Sequence, residues 1–135
     1  MAAGKYSFAI EQGATLNFEL AYKDSNKDPI DLTGYQARMQ IRPNKGSATT
    51  YLTLSSSIDS DGTGLNLSGS SGLNPPTSGT IGVFISANSS SALDFNEAVY
   101  DLEIVTGSVY PVVTRLIEGN VRLVKEVTEG PYTNG

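Results

Sequence analysis

The sequence predicts an all-β protein, an antiparallel β-sandwich or flattened barrel of about eight or nine short strands. The first observation behind this prediction is an alternation of apolar side chains with mostly polar ones at 15–22, 35–42 and 98–104. Successive side chains of a strand point to opposite faces, so this alternation indicates strands with one buried face. The second observation is that turn-forming residues separate these runs at a spacing of roughly 8–14 residues.

Shorter runs complete the strand set, with further strands predicted at 5–10, 50–54, 64–67, 80–85, 112–118 and 121–127. Turn chemistry is expected at 24–29, 43–46 and 59–62, which are rich in Asp, Asn, Gly and Pro. The Glu118-Gly119-Asn120 connection predicts a tight β-hairpin between the last two runs. At most one short helix is expected, near 86–93, with Asn88 or Ser89 as its N-cap.

The length of 135 residues predicts a single β domain, 1–135. Residues 55–79 are rich in Ser, Gly and Asn, and are expected to form a long loop that carries a short strand with Leu65 and Leu67. A flexible linker is the alternative interpretation of this segment. Residues 1–4 and 128–135 carry few apolar side chains and are expected to be arms.

Composition excludes several function classes. The chain has no cysteine and no histidine, which removes disulfides, thiolate or imidazole metal sites and Ser-His-Asp catalysis. The net charge of −5 argues against nucleic-acid binding, because few cations are left to neutralise phosphates. No apolar run is long enough to span a membrane, and the first residues lack the apolar region of a signal peptide. We therefore expect synthesis in a cytoplasm, with no cofactor and no metal.

Two acidic loops are candidate calcium sites. Residues 59–64 place oxygen ligands at alternating positions, but Ser70 stands where a bidentate Glu is required. In residues 24–28 the oxygens are suitable, but Pro29 replaces the glycine of the sharp turn. Both loops are therefore interpreted as Asx-rich turns.

The carboxylates Asp101, Glu103 and Glu118 could in principle act as a glycosidase pair. Asp101 and Glu103 share one face of a strand, and nothing in the sequence places either in an apolar pocket that would raise its pKa. Cross-strand pairing with Arg38, Arg42, Arg115 or Arg122 is the simpler interpretation, and it would help to fix the strand register. We expect no catalytic residues and no enzymatic activity.

Tyrosine is the most frequent aromatic residue, with seven copies. Tyrosines are favoured in protein interfaces because they combine a large contact area with a hydroxyl group. Tyr35 and Tyr100 fall on predicted core faces. Tyr6, Tyr110 and Tyr132 are the candidate interface residues.

Three blocks of the sequence resemble a family of small β-rich virion proteins of tailed bacteriophages, especially contractile-tailed cyanophages. Residues 6–15 read YSFAIEQGAT, similar to the family's I-x-Q-G-A-T start. Residues 29–42 read PIDLTGYQARMQIR, similar to its D-L-T-G-Y-x-A-R-M-Q-I-R block. Residues 100–104, 114–119 and 121–127 are similar to its closing strands, although residues 124–128 read VKEVT where the family has S-P-E-V-T.

The resemblance implies a structural component of the virion in the tail, the baseplate or the fibre-attachment region. Its partners would be other virion proteins and copies of itself. A capsid decoration or neck protein is the alternative within this class. A host-surface glycan-binding module is the alternative from another class, with the 55–79 loop and exposed tyrosines such as Tyr51 and Tyr110 forming the binding groove.

Overall fold

Nine strands form two packed sheets in the computed structural model, which describes residues 4–69, 72–106 and 110–125. The strands are β1 (Gly4–Lys5), β2 (Phe8–Glu11), β3 (Leu16–Ala21), β4 (Tyr35–Arg42), β5 (Leu52–Ser55), β6 (Gly64–Asn66), β7 (Thr80–Ile85), β8 (Glu97–Thr106) and β9 (Val113–Val124). A 3₁₀ turn spans Pro76–Ser78 and one short helix, α1, spans Ala87–Ser91. The predicted all-β class is confirmed.

The large sheet has the strand order β1-β9-β8-β4-β5, with β2 also paired to β9. The small sheet has the order β3-β7-β6. The two sheets close on one side, where β5 and β6 contact each other. Chain order therefore differs from sheet order, and the first and last strands lie next to each other in the large sheet.

The large sheet is mixed rather than purely antiparallel, which corrects the predicted pairing. Both β1 and β2 run parallel to β9, with Gly4 opposite Ile117 and Phe8 opposite Val121. A parallel pair needs a long connection, and here almost the whole chain lies between the paired strands. Alternation of side chains reports which faces are buried but not the direction of the neighbouring strand.

The hairpin predicted at Glu118-Gly119-Asn120 is wrong. Gly119 lies inside the single long strand β9 and pairs with Tyr100 of β8. The chain reverses between β8 and β9 instead, where the Thr106 N–H donates to the Val112 carbonyl oxygen at 3.0 Å. The ladder accommodates a register shift at Leu102 and Glu103, as a β-bulge does.

The core lies between the sheets and draws on both. Its fully buried side chains are the inward residues of the alternating runs, including Met39, Ile41, Leu102 and Val83. The 55–79 segment is part of this core as well as a surface loop, because Leu65 of β6 is 0% exposed. The short strand expected in that segment is present as β6.

Helix α1 begins two or three residues earlier than the predicted cap residues require. Its N-cap is Ser86, whose Oγ accepts a hydrogen bond from the Ser89 N–H at 3.0 Å, rather than Asn88 or Ser89. In the described parts of the chain, no helix is long and apolar enough to cross a bilayer. Gly4, expected in an arm, is the first residue of β1, whereas 1–3 and 128–135 lie outside the described residues.

Candidate interaction site

The side of the sandwich opposite β5 and β6 is bridged by aromatic side chains. After β2 ends, the chain leaves the large sheet and enters β3 of the small sheet through a turn at 12–15. Tyr6, Phe8, Phe18 and Tyr100 meet here, and we call this group the open corner. The ring centroids of Phe8 and Phe18 lie 5.2 Å apart, and those of Phe8 and Tyr100 lie 4.9 Å apart in an edge-to-face arrangement.

Tyr6, predicted from the sequence as an interface residue, is 44% exposed at this corner. Its ring lies 5.8 Å from that of Phe18, so it covers the aromatic group from the solvent side. Tyr100, predicted as a core residue, is buried beneath it. A partner that approached this corner would meet a large, partly exposed aromatic ring packed on other aromatic side chains.

Tyr6 is fixed by its backbone. Its N–H donates to the Glu118 carbonyl oxygen at 3.0 Å, and its own carbonyl oxygen accepts from the Tyr100 hydroxyl at 2.5 Å. Gly119 lies directly under this peptide, since a Cβ at that position would stand 2.1 Å from the Tyr6 carbonyl oxygen. Burial raises the pKa of Tyr100 above its ordinary value, with a smaller contribution from Tyr6, so its hydroxyl keeps its proton and donates.

The open corner also carries the outer edge of β3. This strand has one neighbour among the described strands, β7. The Tyr22 N–H bonds the Gly79 carbonyl oxygen at 2.8 Å, and hydrogen-bonded pairs alternate along an antiparallel ladder. The backbone groups of Asn17 and Ala21 therefore point away from β7. No lysine or proline lies in β3 to discourage pairing with a further strand.

Charged side chains cover the outward face of the large sheet. Arg38 of β4 contacts Glu103 of β8 with its Nε 2.9 Å from Oε1, as the shared-face argument predicted. Arg115 of β9 lies 3.3 Å from Asp101 and 3.7 Å from Glu103. Asp101 is therefore paired with Arg115, and the three strands are linked by one row of alternating charges.

Arg42 does not join this row, which corrects its predicted pairing with a carboxylate. It lies opposite Val99, and its guanidinium donates to the Ser47 carbonyl oxygen at 2.6 Å and to Gln40 Oε1 at 2.7 Å. The reason is position: Arg42 is the last residue of β4, so it reaches the following turn more easily than the carboxylates further along β8.

A second charge group joins the N-terminal strand to the sheet. Glu118 accepts from Lys5 Nζ at 2.6 Å, and its other oxygen lies 3.2 Å from Lys45 Nζ. Hydrogen bonds from these two ammonium groups lower the pKa of Glu118 to about 2. Asp101 shows the opposite effect, because burial and the neighbouring Glu103 raise the pKa of its carboxyl group.

The two acidic loops make turns. In the first, Asp24 Oδ1 accepts from the N–H groups of Asn26 and Asp28 at 2.9 and 3.0 Å. In the second, Asp61 Oδ1 accepts from the Thr63 N–H at 3.0 Å, and Asp61 Oδ2 accepts from the hydroxyl groups of Ser86 and Ser89. No three potential metal-ligating side chains come together within residues 4–69, 72–106 and 110–125.

The other tyrosines predicted to contact partners do not form one groove. Tyr110 is 86% exposed beside the exposed Val112, at the end of the sandwich where β8 turns into β9. Tyr51 stacks on Phe95 at 4.7 Å, at the other end of the large sheet. The glycan groove expected from Tyr51 and Tyr110 is therefore not formed. Tyr132 lies outside the described residues.

Sequence reasoning missed the open corner, although part of the signal was present. The apolar residues of β3 and the aromatic pair Tyr6 and Phe8 predict inward faces, but not that they meet across an unclosed side. No protein-family model matches the chain, and no curated protein matches it.

Proposed function

We propose that this protein is a structural component of a bacteriophage virion, located in the tail, baseplate or fibre-attachment region. It acts by docking to other virion proteins and to copies of itself. No catalytic step is part of this proposal. A place in the capsid or neck is the alternative that the experiment below distinguishes.

The open corner is the observation that carries the proposal. The outward backbone groups of Asn17 and Ala21 can receive an extended segment of a neighbour by strand addition. Tyr6 stands beside this edge and offers ring area and a hydroxyl group to the same neighbour. A strand edge gives affinity through main-chain hydrogen bonds, and adjacent side chains give specificity.

The arrangement of the resembling blocks also supports the proposal. The blocks at 6–15 and 29–42 contribute β2 and β4, and those at 100–104, 114–119 and 121–127 contribute to β8 and β9; these strands are neighbours in the large sheet. Ion pairs across β4, β8 and β9 fix the register of this sheet. The resemblance thus concerns a contiguous part of the molecule, which suits a repeating building block of a symmetric particle.

Mass spectrometry of washed particles of a tailed phage that encodes this chain tests the proposal. We expect its peptides in the particle, in the tail fraction after heads and tails are separated. Peptides confined to the head or neck fraction would support the alternative location. Absence from washed particles would overturn the structural role altogether.

A pair of alanine-to-proline variants tests the docking edge. Proline removes the outward N–H at residue 21, so Ala21→Pro should lower incorporation into particles while the domain still folds. The matched control is Ala48→Pro, in the exposed turn between β4 and β5. Equal incorporation of both variants would remove the β3 edge from the proposal.

A further inference from the structure

The outward face of the small sheet contains a depression with a volume of about 290 Å³. This volume is just below the usual range of small-ligand sites, roughly 300–1,000 Å³. Its lining includes the Phe84 ring, the side chains of Asn17 and Asn66, and Asp61. The depression lies on the outer face of the small sheet, whereas the aromatic rings of the open corner pack on its inner side; Asn17 belongs to both places, with its side chain in the depression and its backbone at the β3 edge.

Strand register explains the shape of this depression. Phe84 of β7 lies between Asn17 of β3 and Gly64 of β6, and Gly82 is paired with Asn66. Gly82 has no side chain beside the aromatic ring, and Gly64 allows the loop residue Ile58 to lie close over β6 at the edge of the depression. Gly64 is required by packing, since a Cβ there would stand 2.8 Å from the Ser55 carbonyl oxygen.

The loop before β6 forms one wall of the depression. Gly62 has φ +92°, and a Cβ on it would lie 3.1 Å from the Phe84 ring. The same loop presents Asp61, whose carboxylate accepts from Ser86 Oγ at 2.5 Å and Ser89 Oγ at 2.9 Å. These hydrogen bonds hold the pKa of Asp61 well below its usual range, so the wall of the depression carries a fixed negative charge.

Two amide side chains complete the polar lining. Within the described residues, the Asn17 side chain has no hydrogen-bond partner and is exposed. Asn66 is oriented by its Oδ1, which accepts from the Ser68 N–H at 2.9 Å, and this leaves its amide nitrogen as a donor. One apolar ring and a few oriented donors and acceptors are the features that fix a small ligand in a shallow site.

We propose that this depression binds a neutral saccharide, with a sugar ring packed on Phe84 and its hydroxyl groups bonded to Asn17, Asn66 and Asp61. A pyranose has one face rich in C–H groups and an edge of hydroxyls that both donate and accept, which matches this lining. No cationic side chain lines the depression, and Asp61 disfavours an anion. The inference is independent of the proposed virion role.

Nuclear magnetic resonance of the ¹⁵N-labelled full chain tests this site, with maltose, lactose and chitobiose as neutral probes and 3′-sialyllactose as an anionic comparison. At least one neutral probe should shift the backbone amides of Gly82 and Phe84 and the side-chain amide of Asn17. Sialyllactose should shift them less at the same concentration. Absence of such shifts with all three neutral probes, or a stronger effect of sialyllactose, would overturn the proposal.

Variants separate binding from folding. Asn17→Ala changes an exposed side chain and should weaken binding of the responding probe by about tenfold, and Phe84→Leu should abolish the shifts. Tyr110→Ala, at the end of the large sheet, is the control and should bind as the parent does. If Asn17→Ala and Phe84→Leu both fold and bind unchanged, the site is not where we place it. Neither result of this binding test decides the proposed virion role, which is tested separately by incorporation into particles.

Discussion

The Tyr100 hydroxyl donates a hydrogen bond to the backbone carbonyl oxygen of Tyr6 across 2.5 Å, joining residues 94 positions apart. The same Tyr100 ring packs edge-to-face on Phe8. β1 has two residues and β2 has four, so their own ladder hydrogen bonds are few. This contact holds the segment between them against β9, and with it the exposed ring of Tyr6.

Replacing Tyr100 by Phe tests this contact. Tyr100→Phe keeps the ring and its packing but leaves the Tyr6 carbonyl without its donor. We expect a loss of about 1 kcal/mol in the free energy of unfolding, and faster hydrogen exchange at the Tyr6 amide. Tyr51→Phe, which keeps the stacking on Phe95, should change stability by less than about 0.5 kcal/mol. Unchanged exchange at Tyr6 in Tyr100→Phe would contradict this role.

Gly119 is the second requirement for the position of Tyr6. In Gly119→Ala the new methyl group would stand 2.1 Å from the Tyr6 carbonyl oxygen, so the N-terminal segment must move. We expect a destabilisation of roughly 1–3 kcal/mol in urea unfolding, as for other overpacked sites. Gly4→Ala is the matched control, because its Cβ would meet Ile117 Cγ2 at an ordinary 3.5 Å. Equal midpoints for the two variants would show that the segment does not lie as close to β9 as described.

Gly119 also explains why the hairpin prediction failed. Glu-Gly-Asn between two apolar runs is typical turn chemistry, and local sequence contains no sign that another segment will cross above it. The glycine is needed because the Tyr6 peptide lies on it, which is a contact between residues far apart in sequence. Local signals predict local conformation, so a glycine required by tertiary packing cannot be distinguished from a turn glycine by its neighbours in sequence.

The alternation of apolar and polar residues predicted which strand faces are buried more successfully than it predicted which strands and side chains pair. In β4 it placed Ala37, Met39 and Ile41 inside, and all three are buried. The same argument put Arg38 and Glu103 on one outer face, where they meet. It could not predict that Arg42, at the end of β4, contacts Ser47 instead of a carboxylate. It also could not predict that β2 runs parallel to β9, because neither feature follows from the period of the pattern.

The 55–79 segment should contribute to stability despite its Ser- and Gly-rich composition. Leu65 is 0% exposed between the sheets, so Leu65→Ala should cost roughly 2–5 kcal/mol in the free energy of unfolding. Leu73→Ala, at a side chain that is 87% exposed in the same segment, should stay within about 0.5 kcal/mol of the parent. Urea unfolding measures both. A small effect at Leu65 would mean that the segment is a linker after all.

Acid should release the N-terminal strand through Glu118. The pKa of Glu118 is lowered from the ordinary glutamate value of 4.5 to about 2 in the folded protein, because Lys5 and Lys45 donate hydrogen bonds to the ionised carboxylate. A lowered folded pKa means that the unfolded chain binds the proton more readily, so this contribution to stability is complete above about pH 4.5 and is lost as the pH falls towards 2. Thermal unfolding of the parent and of Glu118→Gln across this range measures it.

We expect Glu118→Gln to melt below the parent near about pH 6, where the parent carboxylate is ionised and paired, and the difference to shrink steadily in acid. Glu97→Gln removes an equal charge from an exposed position at the start of β8 and serves as the control for net charge. Added salt should narrow the gap between Glu118→Gln and the parent, since these lysines are largely exposed. A gap of constant size from neutral pH down to about pH 2 would show that Glu118 acts through packing rather than through its charge.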